Sequence, residues 1–224
     1  MSEPITIDIW SDVACPWCYI GKHRFEQALA TFGEQAGSPP VAVTWHSYQL
    51  APDLPEKVST SHAEYLGAKL GWSAEQVAAA DRRITDLGRP LGLAFDFEAN
   101  RVANTGRAHE LLHFAREHGR QDAVKEALFK AFFEDGIDIS DPDVLASVAE
   151  KAGLARDEAA QALASGRYGD AVRADRDEAA RLGINGVPFF VLDSRYGLSG
   201  AQEPDTFLDA LRQLAAKRQA SSPE

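Results

Sequence analysis

Two cysteines define the chemistry that this chain of 224 residues can carry out. Cys15 and Cys18 are its only cysteines, and Pro16 and Trp17 separate them. The pair follows an alternating apolar run over residues 5–10 and precedes a helical run, so it lies at a strand-to-helix turn. A helix N-terminus favours a thiolate, which is the nucleophile in thiol–disulfide exchange. The spacing therefore predicts a redox-active dithiol in which Cys15 ionises and Cys18 can resolve a mixed disulfide.

Simpler roles for the two cysteines explain less of the pattern. A purely structural disulfide between Cys15 and Cys18 would close a very short loop and contribute only about 2 kcal/mol. A structural zinc site needs four ligands, and the chain has no second cysteine pair to complete them. The redox interpretation uses both the spacing and the position of the pair.

Composition and charge limit the classes of partner. The chain is 45% hydrophobic and 25% charged, which is typical of a soluble globular protein. Its net charge of −11 argues against binding to nucleic acid or to an anionic membrane. Residues 1–4 lack the features of a signal peptide, and no apolar run approaches the length of a membrane span. We therefore expect a cytoplasmic protein, in a compartment that keeps thiols reduced.

Periodicity predicts the order of the elements. Residues 5–46 predict a strand, a helix and a second strand, the βαβ unit of a parallel pair. Residues 61–182 are helical almost throughout. Strand signals return over residues 189–200, and a last helix begins at Pro204. The pattern predicts an α/β protein in which a βαβ unit and a ββα unit flank an all-helical block.

Capping boxes mark the start of two helices in that block. Ser61 precedes Glu64 by three positions, and Ser73 precedes Gln76 in the same way. Each pair can exchange hydrogen bonds between side chain and backbone at a helix N-terminus. The two serines are therefore predicted N-caps.

Four stretches together resemble the thioredoxin superfamily and, within it, the DsbA-like proteins of the FrnE type. They are residues 11–21 around the dithiol, the long helical insertion, Asn104-Thr105 with Ala108-His109, and residues 183–190 followed by 198–202. The resemblance implies a thioredoxin fold (βαβ…ββα) with a large all-helical insertion domain. The thioredoxin-like domain would be discontinuous, over residues 1–52 and 183–224. The helical insertion domain would cover residues 53–182.

The resemblance also implies roles for individual residues. Cys15 would be the attacking thiol, Cys18 the resolving thiol, and the Val187–Pro188 peptide bond would be cis. A cis bond beside a dithiol would present the Val187 backbone as a short edge for an extended substrate. No metal ligand belongs to the predicted site. Its predicted substrate-binding residues are Pro16, Trp17, Val187, Pro188, Asn104 and His109.

We therefore expect a DsbA-family protein disulfide oxidoreductase or isomerase, which reduces, forms or isomerises disulfides. Its partner would be a disulfide-containing protein or a small thiol, and its state a monomer or a homodimer. It would hold no tight cofactor, while glutathione or another low-molecular-weight thiol could serve as co-substrate. Strongly oxidising DsbA proteins carry a His between the cysteines, and thioredoxin carries Gly-Pro. Pro16-Trp17 predicts a reduction potential between those two extremes, which differ by about 150 mV.

Three other function classes stay open. The 2-hydroxychromene-2-carboxylate isomerases and kappa-class glutathione transferases look similar but typically have Ser where Cys15 stands. A thiol- or glutathione-dependent isomerase or transferase acting on a small aromatic metabolite is therefore the alternative. A redox-sensing binding protein could use the dithiol as a switch. Residues 109–113 match the H-E-x-x-H pattern of zinc hydrolases. However, Arg116 and Gly119 stand where the extended motif needs Gly and His.

For the polar residues near these motifs, a structural or solvent-exposed role is the alternative to a functional one. If the histidines of the H-E-x-x-H match bind no zinc, we expect them to face the cleft or solvent. Asp8, on the strand before the dithiol, could act as a proton relay for the resolving cysteine or be an exposed strand position. His46 ends the second strand, where we expect a solvated or capping role.

Overall fold

The computed structural model describes residues 3–56, 58 and 60–221. The strands are β1 (Ile5–Ser11), β2 (Val41–Ser47), β3 (Phe189–Leu192) and β4 (Tyr196–Ser199). The helices are α1 (Pro16–Gly33), α2 (His62–Leu70), α3 (Ala74–Gly88), α4 (Gly106–Glu117), α5 (Gln121–Phe133), α6 (Pro142–Lys151), α7 (Arg156–Ser165), α8 (Gly169–Arg181) and α9 (Pro204–Ser221). The predicted order, βαβ, a helical block and then ββα, is confirmed.

The sheet has the strand order β2-β1-β3-β4. Strands β1 and β2 are parallel, with Ile5 opposite Val41 and Ser11 opposite Ser47. Strand β3 is antiparallel to both β1 and β4. A central strand is held from both sides by ladder hydrogen bonds. Because β1 is central and runs directly into α1, the turn that carries the dithiol leaves a rigid part of the sheet.

One apolar core lies between the sheet and helices α1 and α9. Alternate residues of β1 face it because side chains in a strand point to opposite faces in turn. The rings of Phe25, Phe190 and Phe207 meet at its centre, with centroids 4.6–5.3 Å apart. This packing fixes α1 against the sheet. The largest members of the core are Ile5, Ile7, Ile9, Phe25, Phe32, Trp45, Phe190, Leu192, Phe207 and Leu211.

A second core joins the first turns of α1 to the helical block. Cys18 and Tyr19 belong to the same buried cluster as Phe129 and Phe133 of α5. The Tyr19 ring stacks on Phe129 with centroids 4.8 Å apart. The dithiol therefore lies where the sheet-bearing part of the chain meets helices α2–α8. The boundaries proposed at residues 52/53 and 182/183 stay a prediction.

Helices in the block begin where the sequence indicates. Both predicted capping boxes form, with Ser61 accepting from the Glu64 N–H and Ser73 from the Gln76 N–H. The starts of α2 and α3 are thus set by local sequence rather than by packing alone.

Among the residues that the structure describes, no helix is long and apolar enough to cross a membrane.

Candidate functional site

The dithiol turn links β1 to α1. Cys15 is the N-cap of α1 in an extended conformation, and Pro16 occupies its first turn, where a missing N–H does no harm. The Cys18 N–H donates to the Cys15 carbonyl at 2.9 Å. Both thiols are free. Cys15 is 5% exposed and lines a cavity, whereas Cys18 is fully buried, so only Cys15 is open to a substrate.

The loop before β3 closes over the attacking position. The Cys15 Sγ atom lies 3.6 Å from the Val187 carbonyl oxygen, and the Val187–Pro188 peptide bond is cis. Gly21 permits this approach, because a Cβ at that position would lie 2.9 Å from the Pro188 ring. The structure therefore brings Cys15, Val187 and Pro188 together.

A cavity of about 600 Å³ opens over the dithiol turn. Cys15, Pro16 and Trp17 form one wall of it. Apolar side chains supplied by α2, α3 and the chain between β2 and α2 form most of the remainder. A mostly apolar cavity of this size with a few polar groups is typical of a binding site. Its other lining residues include Leu50, Leu54, Tyr65, Leu66, Lys69, Trp72, Arg83, Ile84 and Arg101.

The buried carboxylate of Asp12 holds the dithiol turn in place. Asp12 is 1% exposed and accepts hydrogen bonds from the Leu50 N–H at 2.8 Å and from His109 Nε2 at 3.2 Å. Burial opposes ionisation of Asp12, but the His109 and Leu50 bonds outweigh it and lower the pKa of this carboxyl. Burial lowers the pKa of His109, so a neutral imidazole donates from Nε2. His109 thus supports the turn and does not line the cavity.

The surroundings of the reduced pair act differently on the two thiols. A hydrogen bond to the Cys18 sulfur, together with burial, raises the pKa of Cys15. Burial also opposes ionisation of Cys18, but the hydrogen bond from Cys15 and the Lys125 ammonium lower its pKa. These surroundings make Cys18 the more readily ionised of the two thiols, whereas the helix N-terminus by itself favours ionisation of Cys15.

The histidines of the H-E-x-x-H match face different partners. His109 Nε2 points to Asp12, whereas His113 Nε2 lies 3.1 Å from both the Ser47 hydroxyl and the Asp175 carboxylate. Both histidines are buried, at 0% and 8% exposure. The expectation that they face the cleft or solvent is wrong, because α4 packs among α5, α7 and α8. Their geometry gives the two imidazoles structural partners rather than a common ligand.

One group of side chains in the described part of the chain has the spacing of metal ligands. His23, Glu26 and Glu126 place their ligand atoms within 4.8 Å of one another. The Lys22 ammonium, however, pairs with both glutamates, at 2.9 Å from Glu126 Oε2. The Tyr19 hydroxyl also donates to Glu126 at 3.2 Å. A lysine already forms ion pairs with both of these carboxylates.

Asn104 does not line the cavity over Cys15. Its side chain donates to the Leu54 carbonyl at 2.5 Å and accepts from the Gly106 N–H at 2.9 Å. It lines a separate polar cavity with Arg107 and Glu110 rather than the cavity over Cys15. These bonds fix the entry to α4, so the structure supports a structural role for Asn104.

Asp8 and His46 form one ion pair. His46 Nε2 lies 2.9 Å from Asp8, and its Nδ1 lies 2.9 Å from Asp175 of α8. Burial disfavours the imidazolium, but these two carboxylates outweigh it and raise the pKa of His46 to about 9. The expected solvated or capping role of His46 is wrong, because α8 packs against β2 and covers it. The Asp8 carboxylate contacts this imidazole rather than a cysteine.

Sequence reasoning missed Lys125, which is fully buried. It lies on the apolar face of α5, three, four and seven positions before Leu128, Phe129 and Phe132, which are all buried. A lysine is almost never fully buried unless it has a partner. A charged residue at a core position of a helix was the signal that could have found it.

Comparisons with known proteins agree with this fold. A family model described as the DSBA-like thioredoxin domain matches residues 6–212. A solved structure described as a probable DsbA oxidoreductase from Streptomyces coelicolor is 40% identical, with a TM-score of 0.89. The match covers 98% of this chain and 92% of that one.

Two more distant structures share the fold. A 2-hydroxychromene-2-carboxylate isomerase is 17% identical over 97% of this chain and 100% of its own, with a TM-score of 0.69. The cytosolic disulfide reductase DsbM of Pseudomonas aeruginosa is 20% identical over 95% of this chain and 99% of its own, with a TM-score of 0.65. DsbM has also been solved with GSH.

Proposed function

The chain belongs to the DSBA-like thioredoxin domain family, and we propose that it is a thiol–disulfide oxidoreductase that uses Cys15 and Cys18 to reduce, form or isomerise disulfides. The observation that carries this proposal is the position of Cys15. Its sulfur lies at a large cavity and 3.6 Å from the Val187 carbonyl. The 40% identical protein described as a probable DsbA oxidoreductase supports it.

In the reducing direction, Cys15 first gives up its proton. The Cys15 thiolate then attacks a substrate disulfide, forms a mixed disulfide and releases one substrate thiolate. Cys18 loses its proton and attacks the Cys15 sulfur, which releases the second substrate thiolate. The two departing thiolates take up protons. The substrate gains two electrons, and the protein is left with a Cys15–Cys18 disulfide, which an external thiol must reduce.

The surroundings of the dithiol suit an extended substrate. The Val187 backbone offers a short edge beside Cys15, and an extended chain can add to such an edge through main-chain hydrogen bonds. Pro16 and Trp17 line the cavity and would contact the residues next to the substrate disulfide. Pro188 shapes the Val187 edge. His109 does not line the cavity and acts only by its hydrogen bond to Asp12.

We also propose a partner, a reductant and a cellular location for the protein. The partner is a disulfide-containing protein or a small thiol, and the regenerating reductant is a low-molecular-weight thiol such as glutathione, with no tightly bound cofactor. We place the protein in the cytoplasm as a FrnE-type member, as a monomer or a homodimer. The description of DsbM as a cytosolic disulfide reductase is consistent with this placement.

Insulin reduction with dithiothreitol tests the proposal. Wild type should accelerate precipitation of the insulin B chain over many turnovers, and Cys15→Ser should abolish the acceleration. A Ser147→Ala variant is the matched control, because that hydroxyl only bonds within α6. Oxidation of the dithiol in a single turnover, without steady catalysis, would favour a redox sensor instead.

The cavity favours one alternative. An apolar space of about 600 Å³ that also carries Lys69, Arg83 and Arg101 could hold a small aromatic acid beside Cys15. Isomerisation or transfer would then use a thiol without net oxidation. Turnover of aromatic acids in the presence of glutathione, by a protein that fails to reduce insulin, would support this alternative and contradict the oxidoreductase proposal.

A further inference from the structure

We propose that the buried ammonium of Lys125, on α5, is the counter-charge of the reduced dithiol and sets how readily the Cys15–Cys18 pair loses a proton. This inference rests on the proposed thiol–disulfide function and deepens it. Lys125 would be a positioning residue, because it acts on the sulfurs and does not touch the substrate.

The position of Lys125 is defined by its contacts with the dithiol turn. Its Nζ donates to the carbonyl of Ser11, the last residue of β1, at 3.4 Å. The ammonium also lies 4.8 Å from the centre of the Phe129 ring and 5.5 Å from that of Trp45. These contacts place the Lys125 ammonium against the end of β1, directly before the turn that carries the cysteines.

Lys125 lacks the partner that a buried cation needs. Within the described part of the chain, no carboxylate lies in ion-pair distance of its Nζ. Asp12, the nearest buried acid in the turn, already binds His109 and the Leu50 N–H. A buried unpaired charge is costly, so proteins pair it or neutralise it. A thiolate at the cysteines would supply the missing negative charge.

The titratable groups that act on Lys125 come from two helices, α1 and α4, and from the turn. Cys15 and Cys18 lie at the start of α1, Asp12 lies in the turn, Lys22 follows on α1, and His109 of α4 also interacts with the ammonium. Burial lowers the pKa of Lys125 to about 8, while the two sulfurs and Asp12 oppose that decrease. Ser11 adds to the arrangement, since its hydroxyl helps to lower the pKa of Cys18.

The redox consequence follows from charge balance. In the reduced protein, the ammonium faces one thiolate and the pair retains one proton. When the pair is oxidised, that last proton leaves, a Cys15–Cys18 bond forms, and two electrons pass to the substrate disulfide. The thiolate is then gone and Lys125 is left without its counter-charge. Lys125 should therefore hold its proton more tightly in the reduced form than in the oxidised form.

The test is the ionisation of the dithiol in Lys125→Met, which keeps an unbranched side chain one atom shorter and removes the charge. Thiolate absorbance is followed against pH in the reduced protein. Because an opposite charge nearby lowers a pKa by about one to three units, the first thiol pKa should rise by about one unit or more. Lys130→Met is the matched control, on the same helix but with a side chain 56% exposed.

A second measurement uses the unmodified chain, so it does not depend on the variant folding. Selective ¹³C observation of the lysine side chains should give a higher pKa for Lys125 in the reduced protein than in the oxidised protein. Equal Lys125 pKa values in the two forms, or an unchanged thiolate profile in a folded Lys125→Met, would overturn the inference. Wild type that ionises as expected but reduces no insulin would overturn the proposed function and leave the role of Lys125 standing.

Discussion

Replacing His46 with Gln should remove a part of the protein's stability that depends on pH. The imidazole lies 2.9 Å from both Asp8 and Asp175, and its side chain is only 16% exposed, so solvent screens it little. Burial opposes the charge, but the carboxylates raise the pKa of His46 to about 9 from an ordinary value of 6.5. That difference corresponds to roughly 3 kcal/mol in favour of the folded state when the imidazole is charged.

The sign of the effect follows from proton binding. The folded protein binds this proton more tightly than the unfolded chain, so the stabilisation is complete below about pH 6.5 and is lost as pH rises through about 9. Urea unfolding of wild type and His46→Gln should therefore differ most at about pH 6 and by about 3 kcal/mol less at about pH 9. His118→Gln is the control, because that imidazole is 37% exposed and 3.8 Å from Glu158. A His46→Gln difference that stays constant with pH would refute the reasoning.

Three further predictions concern the site and the core. Gly21→Ala should destabilise the fold by about 1–3 kcal/mol and slow insulin reduction, because the new Cβ would displace the Pro188 ring that lies beside Cys15; normal urea unfolding and activity would contradict this. Phe133→Ala should lower the free energy of unfolding by about 3–5 kcal/mol, whereas Leu182→Ala, at an exposed position, should change it by about 0.5 kcal/mol or less. Equilibration with glutathione should give a reduction potential between about −270 and −120 mV, and a value outside that range would contradict the argument from Pro16-Trp17.

The parts of the fold that depend on local sequence could be predicted. Alternation over β1, Pro16 in the first turn of α1 and the capping serines act over a few residues. They placed the dithiol at a strand-to-helix turn and set the starts of α2 and α3. The position of the Val187–Pro188 loop beside the dithiol was predicted from the family resemblance, since no local pattern links this loop to a cysteine 172 positions earlier.

The electrostatics of the site could not be predicted in the same way. His46 meets Asp8 across 38 positions and Asp175 across 129. Lys125 reaches the carbonyl of Ser11 across 114 positions. Such pairs exist only after α5 and α8 pack against the sheet, so no local pattern reveals them. For the same reason, the helix N-terminus predicts easier ionisation of Cys15, whereas the packed surroundings raise the pKa of Cys15 and lower that of Cys18.

Trapping of a mixed disulfide tests the central claim most directly. Cys18→Ser, mixed with oxidised insulin, should accumulate an insulin adduct on Cys15 that peptide mass mapping locates, because the resolving thiol is absent. Cys15→Ser should form no adduct, since Cys18 is fully buried. An adduct on Cys18 in Cys15→Ser, or no adduct in either variant, would contradict the assignment of Cys15 as the attacking thiol.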